Sequence, residues 1–148
     1  MGPFDMLAIS ASALSAERQR SEVITANMAN AETTHTDTGG PYKRKEVVFA
    51  STANSSFHLM LASTGSATAR PAGTVRVAQV VDDQTPPVMR YEPGHPDADE
   101  NGFVAYPAIN PVQEMVDLMG STRAYQLNAS AVAAAKQMIQ QSIDILKS

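Results

Sequence analysis

An acidic stretch at residues 97–102 contains the residue types that most resemble a metal-binding motif. Asp97, Asp99 and Asn101 match the first half of a calcium-binding EF-hand loop. That loop needs a bidentate Glu at its twelfth position, where this chain has Ala108 after a proline. No helical pattern precedes the stretch, although an EF-hand needs a helix there. The spacing therefore predicts an acidic turn closed by Asn-Gly, and no calcium site.

The remaining residues with catalytic potential do not form a recognisable constellation. His35, His58 and His95 are far apart in the sequence, and the chain has no cysteine to complete a metal site. The serines lack the G-x-S-x-G elbow, and neither a Walker loop nor a G-x-G-x-x-G motif occurs. A small hydrolase would need a nucleophile, a base and an oxyanion site, and the sequence provides no such set. We expect no catalytic residue, no cofactor, no metal and no small-molecule substrate, and therefore no enzyme.

Composition and charge exclude two further classes of partner. The net charge is −4 and the pI is about 5.2, so the chain lacks the basic footprint of a nucleic-acid-binding protein. No apolar run approaches the roughly 18 residues of a transmembrane helix, which predicts no direct membrane insertion. Residues 1–8 have no basic region and no continuous apolar core, so we do not expect a cleavable secretory signal. The lack of cysteine fits a reducing cytoplasm, and equally a protein that crosses an oxidising compartment.

The strongest pattern along the chain lies at its C-terminal end, over residues 112–146. Small and apolar residues recur alternately three and four positions apart, which is the repeat of a helix that pairs along a supercoiled seam. Asn110 is the candidate N-cap, and Pro111 fits the first helical position. About 35 helical residues span roughly 50 Å, more than the roughly 40 Å width of a compact chain of this size, so the helix needs a partner. The expected seam positions are Met115, Leu118, Tyr125, Val132, Ile139, Ile143 and Leu146.

A second helical pattern runs from residue 4 to residue 31. Its apolar positions also lie three or four apart, although this stripe is thinner. Such a helix is marginal on its own, because helix stability comes mostly from packing one face. Pairing the two terminal helices would bury both stripes, which predicts an antiparallel coiled coil. The expected seam positions in this helix are Leu7, Leu14, Ile24 and Met28.

Three polar residues, Asn27, Asn30 and Thr33, are spaced three apart at the end of this first helix. They could cap and end the helix, since Asn and Thr compete for backbone groups. They could equally form hydrogen bonds across a helix–helix seam and fix its register, as a buried Asn does in coiled coils. The sequence favours neither interpretation. Arg123 in the C-terminal helix is a further candidate for a polar register contact.

Short extended segments fill the middle of the chain. Residues 62–73 are rich in Ser, Thr, Ala and Gly and predict a flexible loop, within a flexible region of about 50–74. The basic run at 43–45 is either exposed charge or a contact for acidic neighbours. Alternation and turn residues predict strands over 42–49, 56–61, 75–81, 88–91 and 102–106.

The fold class that follows is α+β: two long terminal helices paired as an antiparallel coiled coil, with a small antiparallel β unit inserted between them. We expect an inner helical domain made of residues 1–34 and 111–148, and a β-rich domain of residues 35–110.

Several segments carry a resemblance to one protein family. Residues 14–34 (LSAERQRSEVITANMANAETT) resemble the N-terminal signature of flagellar basal-body rod and hook proteins. Segments 39–49 (GGPYKRKEVVF) and 93–107 (PGHPDADENGFVAYP) are similar to the proximal rod members of that family. No resemblance covers residues 50–75. The C-terminal helix resembles that of the family at 114–119 (EMVDLM), 123–128 (RAYQLN) and 135–138 (AKQM).

The resemblance implies a structural subunit of the proximal rod of the bacterial flagellum, in the periplasm. It implies export by the flagellar type III machinery, and assembly with copies of itself, other rod proteins and basal-body ring and adaptor proteins. The product would be a tubular drive shaft that transmits torque and surrounds the export channel. It also implies terminal segments that are disordered in the free subunit and form the inner helical layer of the tube.

The alternative from another class is a soluble export chaperone or adaptor that binds a partner helix in a groove. The two differ in stoichiometry. An adaptor stops at a small defined complex, whereas a rod subunit joins an ordered array of many subunits.

Overall fold

A computed structural model of the chain describes residues 2–51 and 73–147. In that part, helix α1 (Pro3–Ala29) comes first and helix α2 (Pro111–Lys147) comes last. Strands β1 (Lys45–Ser51), β2 (Val75–Asp82), β3 (Val88–Tyr91) and β4 (Phe103–Tyr106) lie between them. The order confirms the predicted α+β class. The predicted strand over 56–61 and most of the predicted flexible loop lie outside the described residues.

Helix α2 begins where its sequence signals predict. The side-chain oxygen of Asn110 accepts hydrogen bonds from the amides of Val112, at 3.0 Å, and Gln113, at 3.4 Å. These two bonds satisfy donors that have no partner inside the helix, which is the function of an N-cap. The helix then runs for 37 residues, or about 55 Å. Across the described ranges, no helix is both long enough and apolar enough to cross a membrane.

Helix α1 ends through its own polar side chains. Asn30 donates its amide hydrogen to the carbonyl of Ala26 at 2.8 Å. The Thr33 hydroxyl then donates to the side-chain oxygen of Asn30 at 3.1 Å. The backbone bonds then span three residues, from the amide of Ala31 to the carbonyl of Met28 and from the amide of Thr33 to the carbonyl of Asn30, and the helix ends at Ala29. This is the capping arrangement that the sequence left as one of two possibilities for Asn30 and Thr33.

The described strands form two antiparallel two-stranded sheets, β1 with β2 and β3 with β4. The single β unit expected from the sequence is therefore divided in two. In the second sheet Val88 lies opposite Tyr106, and Tyr91 lies opposite Phe103. Strand β1 starts at Lys45 rather than at the predicted Tyr42, because the amide of Tyr42 bonds instead to the carbonyl of Thr33 at 3.0 Å.

Contacts between Cα atoms divide the chain into two compact units. The first unit comprises Met1–Gln19, Phe49–Ala78 and Thr122–Ser148. The second unit comprises Arg20–Val48 and Gln79–Ser121. Each unit therefore takes one part of α1 and one part of α2.

The buried residues differ between the units. In the described part of the first unit they are all small: Ser10, Ala16, Thr74 and Ala135. In the second unit they include Ile24, Val104 and Tyr106 together with three polar residues, Asn27, Glu114 and Ser121.

Candidate functional site

Among the described residues of the second unit, the largest fully buried side chain is a carboxylate. Glu114, in the first turn of α2, is 1% exposed. It accepts a hydrogen bond from Nε of Arg44 at 2.6 Å and one from the amide of Asn27 at 3.1 Å. The guanidinium of Arg44 also contacts Glu46 and lies 3.8 Å from a carboxylate oxygen of Asp117. Burying a charge is costly unless it is paired and hydrogen-bonded, and Glu114 meets both conditions.

Asn27 of α1 connects this carboxylate to the start of β1. Its amide nitrogen donates to the carbonyl of Lys45, and its side-chain oxygen accepts from the amide of Lys45, both at 2.9 Å. The side chain therefore bonds the Lys45 backbone as a neighbouring strand would. The hydroxyl of Tyr42 donates a second bond to the Asn27 oxygen, at 3.2 Å. We call Asn27, Tyr42, Arg44 and Glu114 the polar node.

The environment of the node keeps its donors protonated. Burial lowers the pKa of Arg44, but the hydrogen bond and charge of Glu114, with those of Glu46, outweigh it, so the pKa of Arg44 is raised. The pKa of the Tyr42 hydroxyl is raised by burial first, and then by the charges of Asp82 and Glu114. Both groups therefore remain hydrogen-bond donors at neutral pH. The node is a static network that joins α1, β1 and α2.

The helices meet near the node through small side chains. The hydroxyls of Ser21 and Ser121 lie 2.8 Å apart, and Ser121 is fully buried. With the bond between Asn27 and Glu114, this pair shows that the two helices run antiparallel within the second unit. Serine side chains let the helix backbones approach closely but contribute little apolar area.

The opposite face of α2 carries large apolar side chains. Val112, Met115, Val116 and Met119 are between 51% and 71% exposed. Positions spaced in this way lie within an arc of about 100° and roughly opposite Glu114 and Ser121. We call these four residues the outward stripe. In this part of α2, the fully buried side chains are polar, and these four large apolar side chains lie on the opposite face.

The hairpin of β3 and β4 has a similar two-sided character. Val104 and Tyr106 are buried on one face. Met89, Tyr91 and Phe103 share the other face and are exposed, with the rings of Tyr91 and Phe103 in an edge-to-face contact at 5.4 Å. This second face is an exposed apolar patch on the β part of the second unit.

The predicted seam positions fall into three groups by burial. Ile24 is buried. Met115, Tyr125 and Ile143 are exposed in the single chain. Leu146 lies in α2. The half-buried positions are Leu7, Leu14, Met28, Leu118, Val132 and Ile139.

The predicted polar contacts lie in different places. Asn27 lies in the node, whereas Asn30 and Thr33 bond locally at the end of α1. Arg123 lies exposed on α2. The structure thus brings only the first of the four to the boundary between the helices.

Sequence reasoning missed three members of the node: Tyr42, Arg44 and Glu114. The basic run at 43–45 was interpreted as exposed charge or a contact for neighbours. Lys43 and Lys45 are indeed exposed, but Arg44 points inward between them. A signal was available, since neighbouring residues of an extended segment point to opposite sides.

The acidic stretch at residues 97–102 forms a turn that is stabilised by side-chain hydrogen bonds. The Asp99 carboxylate accepts from the amides of Asn101, at 2.9 Å, and Phe103, at 2.8 Å, while Asp97 accepts from the hydroxyl of Thr34 at 2.7 Å. Gly102 closes the turn at a φ of +82°, a conformation that favours glycine. Within 2–51 and 73–147, no group of three or more His, Cys, Asp or Glu residues is placed to hold a metal ion.

Comparison with known protein families places both ends of the chain in one class. Residues 7–34 match the family described as "Flagella basal body rod protein". Residues 100–145 match the family described as "Flagellar basal body rod FlgEFG protein C-terminal". The class indicated by α1 and α2 is therefore that of flagellar rod proteins.

Individual relatives narrow this class. The chain is 38% identical to the flagellar basal-body rod protein FlgC of Bacillus subtilis, over 99% of this chain and 100% of the relative. It is 34% identical to FlgC of Borreliella burgdorferi, over 99% of both chains. It is 36% identical to FlgC of Escherichia coli O157:H7, over 98% of both chains. The chain belongs to the FlgC family of flagellar basal-body rod proteins.

Membership of this family confirms the resemblance seen in the sequence. It also confirms the prediction of a structural protein of the flagellar basal body rather than an enzyme. Nothing in the comparisons favours the export chaperone or adaptor.

Proposed function

We propose that this chain is a proximal rod subunit that assembles through its two terminal helices into a tube. The tube lies across the periplasm, surrounds the export channel and transmits torque. Its subunits reach the growing end through the flagellar type III export machinery. Its neighbours are other copies of this chain, other rod proteins, and ring or adaptor proteins of the basal body.

The outward stripe is the observation that carries this proposal. Fully burying a Val or Met side chain stabilises a protein by about 1.5–3 kcal/mol, and in the single chain these four side chains are more than half exposed. An unpartnered apolar face of this kind marks an interaction site. Because it lies on a terminal helix and faces away from α1, a neighbouring subunit would cover it.

The same reasoning assigns roles to the predicted seam residues. We assign the exposed positions Met115, Tyr125 and Ile143 to contacts between subunits. The buried and half-buried positions are assigned to packing within one subunit. Residues 1–34 and 111–148 would then form the inner helical layer, and residues 35–110 an outer β-rich domain. The exposed face at Met89, Tyr91 and Phe103 would provide lateral contacts in that outer layer.

Because the outward stripe and the hairpin face are different surfaces, we expect an array that extends as a filament and does not close on itself. A contact between two different surfaces of a subunit generates a ring or, if the rotation does not close, a helical filament. The stripe lies on a helix and the hairpin face on a sheet, so neither is a copy of the other. Many such contacts in parallel would make the filament stiff in torsion, as a drive shaft requires.

The experiment replaces two stripe residues with a charged residue. The double variant Val116→Glu/Met119→Glu is produced in a bacterium whose own copy of the gene has been deleted, and basal bodies are isolated. We expect the variant to be absent from the rods and the cells to be non-motile, because two carboxylates cannot be buried in an apolar contact. Circular dichroism of the purified subunit should remain unchanged, since the stripe is exposed there.

The matched control is Gln113→Glu, which adds one charge at an exposed position in the same turn of the helix. This variant should enter rods and restore swimming. Normal incorporation of the double variant would contradict assembly through this face. Recovery of the wild-type chain only in a small complex of fixed stoichiometry would favour the adaptor instead.

A further inference from the structure

The contact between α1 and α2 in the second unit contains little that fixes its register. Its central pair is Ser21 with Ser121, two small side chains joined by one hydrogen bond. Register in helix pairs normally comes from large side chains that fit into specific holes, or from buried polar residues that must find each other. Because serine side chains are small, a serine pair fixes the register only weakly. Ile24 alone contributes a large buried apolar side chain from this part of α1.

The polar node provides buried polar residues that bond to each other across the two helices. Asn27 bonds directly across the helices to Glu114 at 3.1 Å, and both side chains are 1% exposed. The same Asn27 side chain makes two bonds to the backbone of Lys45. Arg44, the residue before Lys45, donates a hydrogen bond to Glu114 at 2.6 Å. Three chain segments therefore meet at one amide and one carboxylate.

We propose that the polar node sets the register of α1 against α2 and ties that register to the start of β1. A slip of one helical turn moves α2 by about 5.4 Å along α1, which breaks the bond between Asn27 and Glu114. It also takes the buried carboxylate away from Arg44. A slip costs the serine contact one hydrogen bond, whereas in the node it also separates a buried carboxylate from both of its donors. Asn27, Arg44 and Glu114 are therefore positioning residues for the helix pair.

The absence of cysteine from the chain makes register directly measurable. The cysteine pair Ser21→Cys/Ser121→Cys reports the observed register, because the two hydroxyl oxygens that the sulfurs replace lie 2.8 Å apart. The pair Ser21→Cys/Leu118→Cys, in a separate protein, reports a slip of one turn. The readout is the ratio of the two disulfide yields under mild oxidation of the purified subunit.

Each pair is then combined with a change in the node. Asn27→Ala should lower the ratio of in-register to slipped disulfide by roughly tenfold or more, because it leaves Glu114 without one of its donors. Glu114→Gln retains the shape of the side chain but replaces one of its two acceptor oxygens with an NH2 donor, so one bond to Arg44 or Asn27 is lost and the ratio should also fall. The matched control is Asn30→Ala, the same substitution on the same helix, where the lost bond is local. It should leave the ratio unchanged.

A triple variant separates register from folding. Asn27→Leu/Arg44→Met/Glu114→Met replaces the network by apolar side chains of similar size, an exchange that proteins often accept without loss of stability. We expect this variant to keep its helix content and to give both disulfides. A single disulfide at 21 and 121, in the parental yield, would overturn the proposal. Loss of helix content in this variant would also overturn it, since the node would then hold the fold and not only its register.

This inference does not depend on rod assembly, since every readout uses the free subunit. The stripe variants can fail while the cysteine pairs behave as expected, and the reverse also holds.

Discussion

The two compact units of this chain bury different kinds of residue. The second unit has an interlocked polar node and a hairpin that buries Val104 and Tyr106. The described part of the first unit buries only Ala, Ser and Thr, while Phe4 and Leu127 stay exposed. Under the proposed function, we expect neighbouring subunits to cover the exposed apolar side chains of the first unit and also the outward stripe of the second unit.

The largest effect should come from charging the exposed and half-buried face of the first unit. In Ile139→Asp/Ile143→Asp, two apolar side chains at the C-terminal part of α2 become carboxylates. We expect incorporation into rods to be abolished, because Ile143 would be buried against a neighbouring subunit and Ile139 within its own subunit. Denaturant unfolding of the second unit in the free subunit should not change. Rods that contain the variant in normal amounts would refute the assignment of this face to assembly.

The contrast between the units also predicts a difference in local stability. In the free subunit, amides of residues 3–19 and 122–147 should exchange with deuterium on the order of a hundredfold faster than those of residues 20–29 and 111–121. In isolated basal bodies the difference should largely disappear, because neighbouring subunits complete the first unit. The family resemblance implies that the whole of both terminal segments is disordered before assembly. The present prediction restricts rapid exchange to the parts of those segments that belong to the first unit. Equal protection of all four segments in the free subunit would remove the distinction between the units.

A smaller but well-localised effect should follow from breaking the node. Glu114→Ala leaves the guanidinium of Arg44 and the amide of Asn27 without their shared partner. Removing one member of a buried ion pair costs about 3–5 kcal/mol, and the lower end applies because Arg44 is 21% exposed. The measurement is the free energy of unfolding in urea. The control Gln113→Ala removes an exposed side chain one residue away and should cost less than about 0.5 kcal/mol. Similar losses in the two variants would show that the buried carboxylate does not stabilise the second unit.

The smallest predicted effect is a gain in stability at Gly120. Nothing lies within 4 Å of the position that a Cβ atom would occupy there in the single chain, and the backbone is helical. Gly120→Ala should therefore stabilise the free subunit by up to about 1 kcal/mol, as helix propensity dictates. If the variant also enters rods normally, no neighbouring backbone approaches this glycine. Thermal unfolding and basal-body composition check the two parts, and destabilisation of the free subunit would contradict the first.

Local signals accounted for most of the secondary structure. The bounds of α1 and α2 follow from the three-and-four spacing of their apolar residues, and Asn110 caps α2 as its type and position predict. Strand β3 occupies the predicted residues 88–91. These features depend on neighbours within a few positions of each other, so a linear pattern contains the necessary information.

It was harder to predict which face of α2 is buried in its own subunit and which face is exposed. A heptad pattern identifies which residues of α2 are apolar, but it does not say whether an apolar position meets its own subunit or another one. Met115 was grouped with Leu118 along one seam, although Met115 lies exposed and Leu118 is half-buried. The fully buried positions of α2 in the second unit are Glu114 and Ser121, which no hydrophobicity argument would select. For a chain built to be completed by neighbours, the usual equation of apolar with buried does not hold.

Sequence patterning was sufficient for the two long helices, the N-cap of α2, the strands of the hairpin and the membership of a structural family, because all of these depend on short-range spacing and on recognisable motifs. The polar node was decided by the tertiary structure. Asn27, Arg44 and Glu114 are separated by up to 87 positions, and each has an ordinary local explanation as a helix-ending amide, a surface cation or a charge at a helix start. Only the folded chain brings them together, and a buried carboxylate is stable there because both of its donors arrive from different segments.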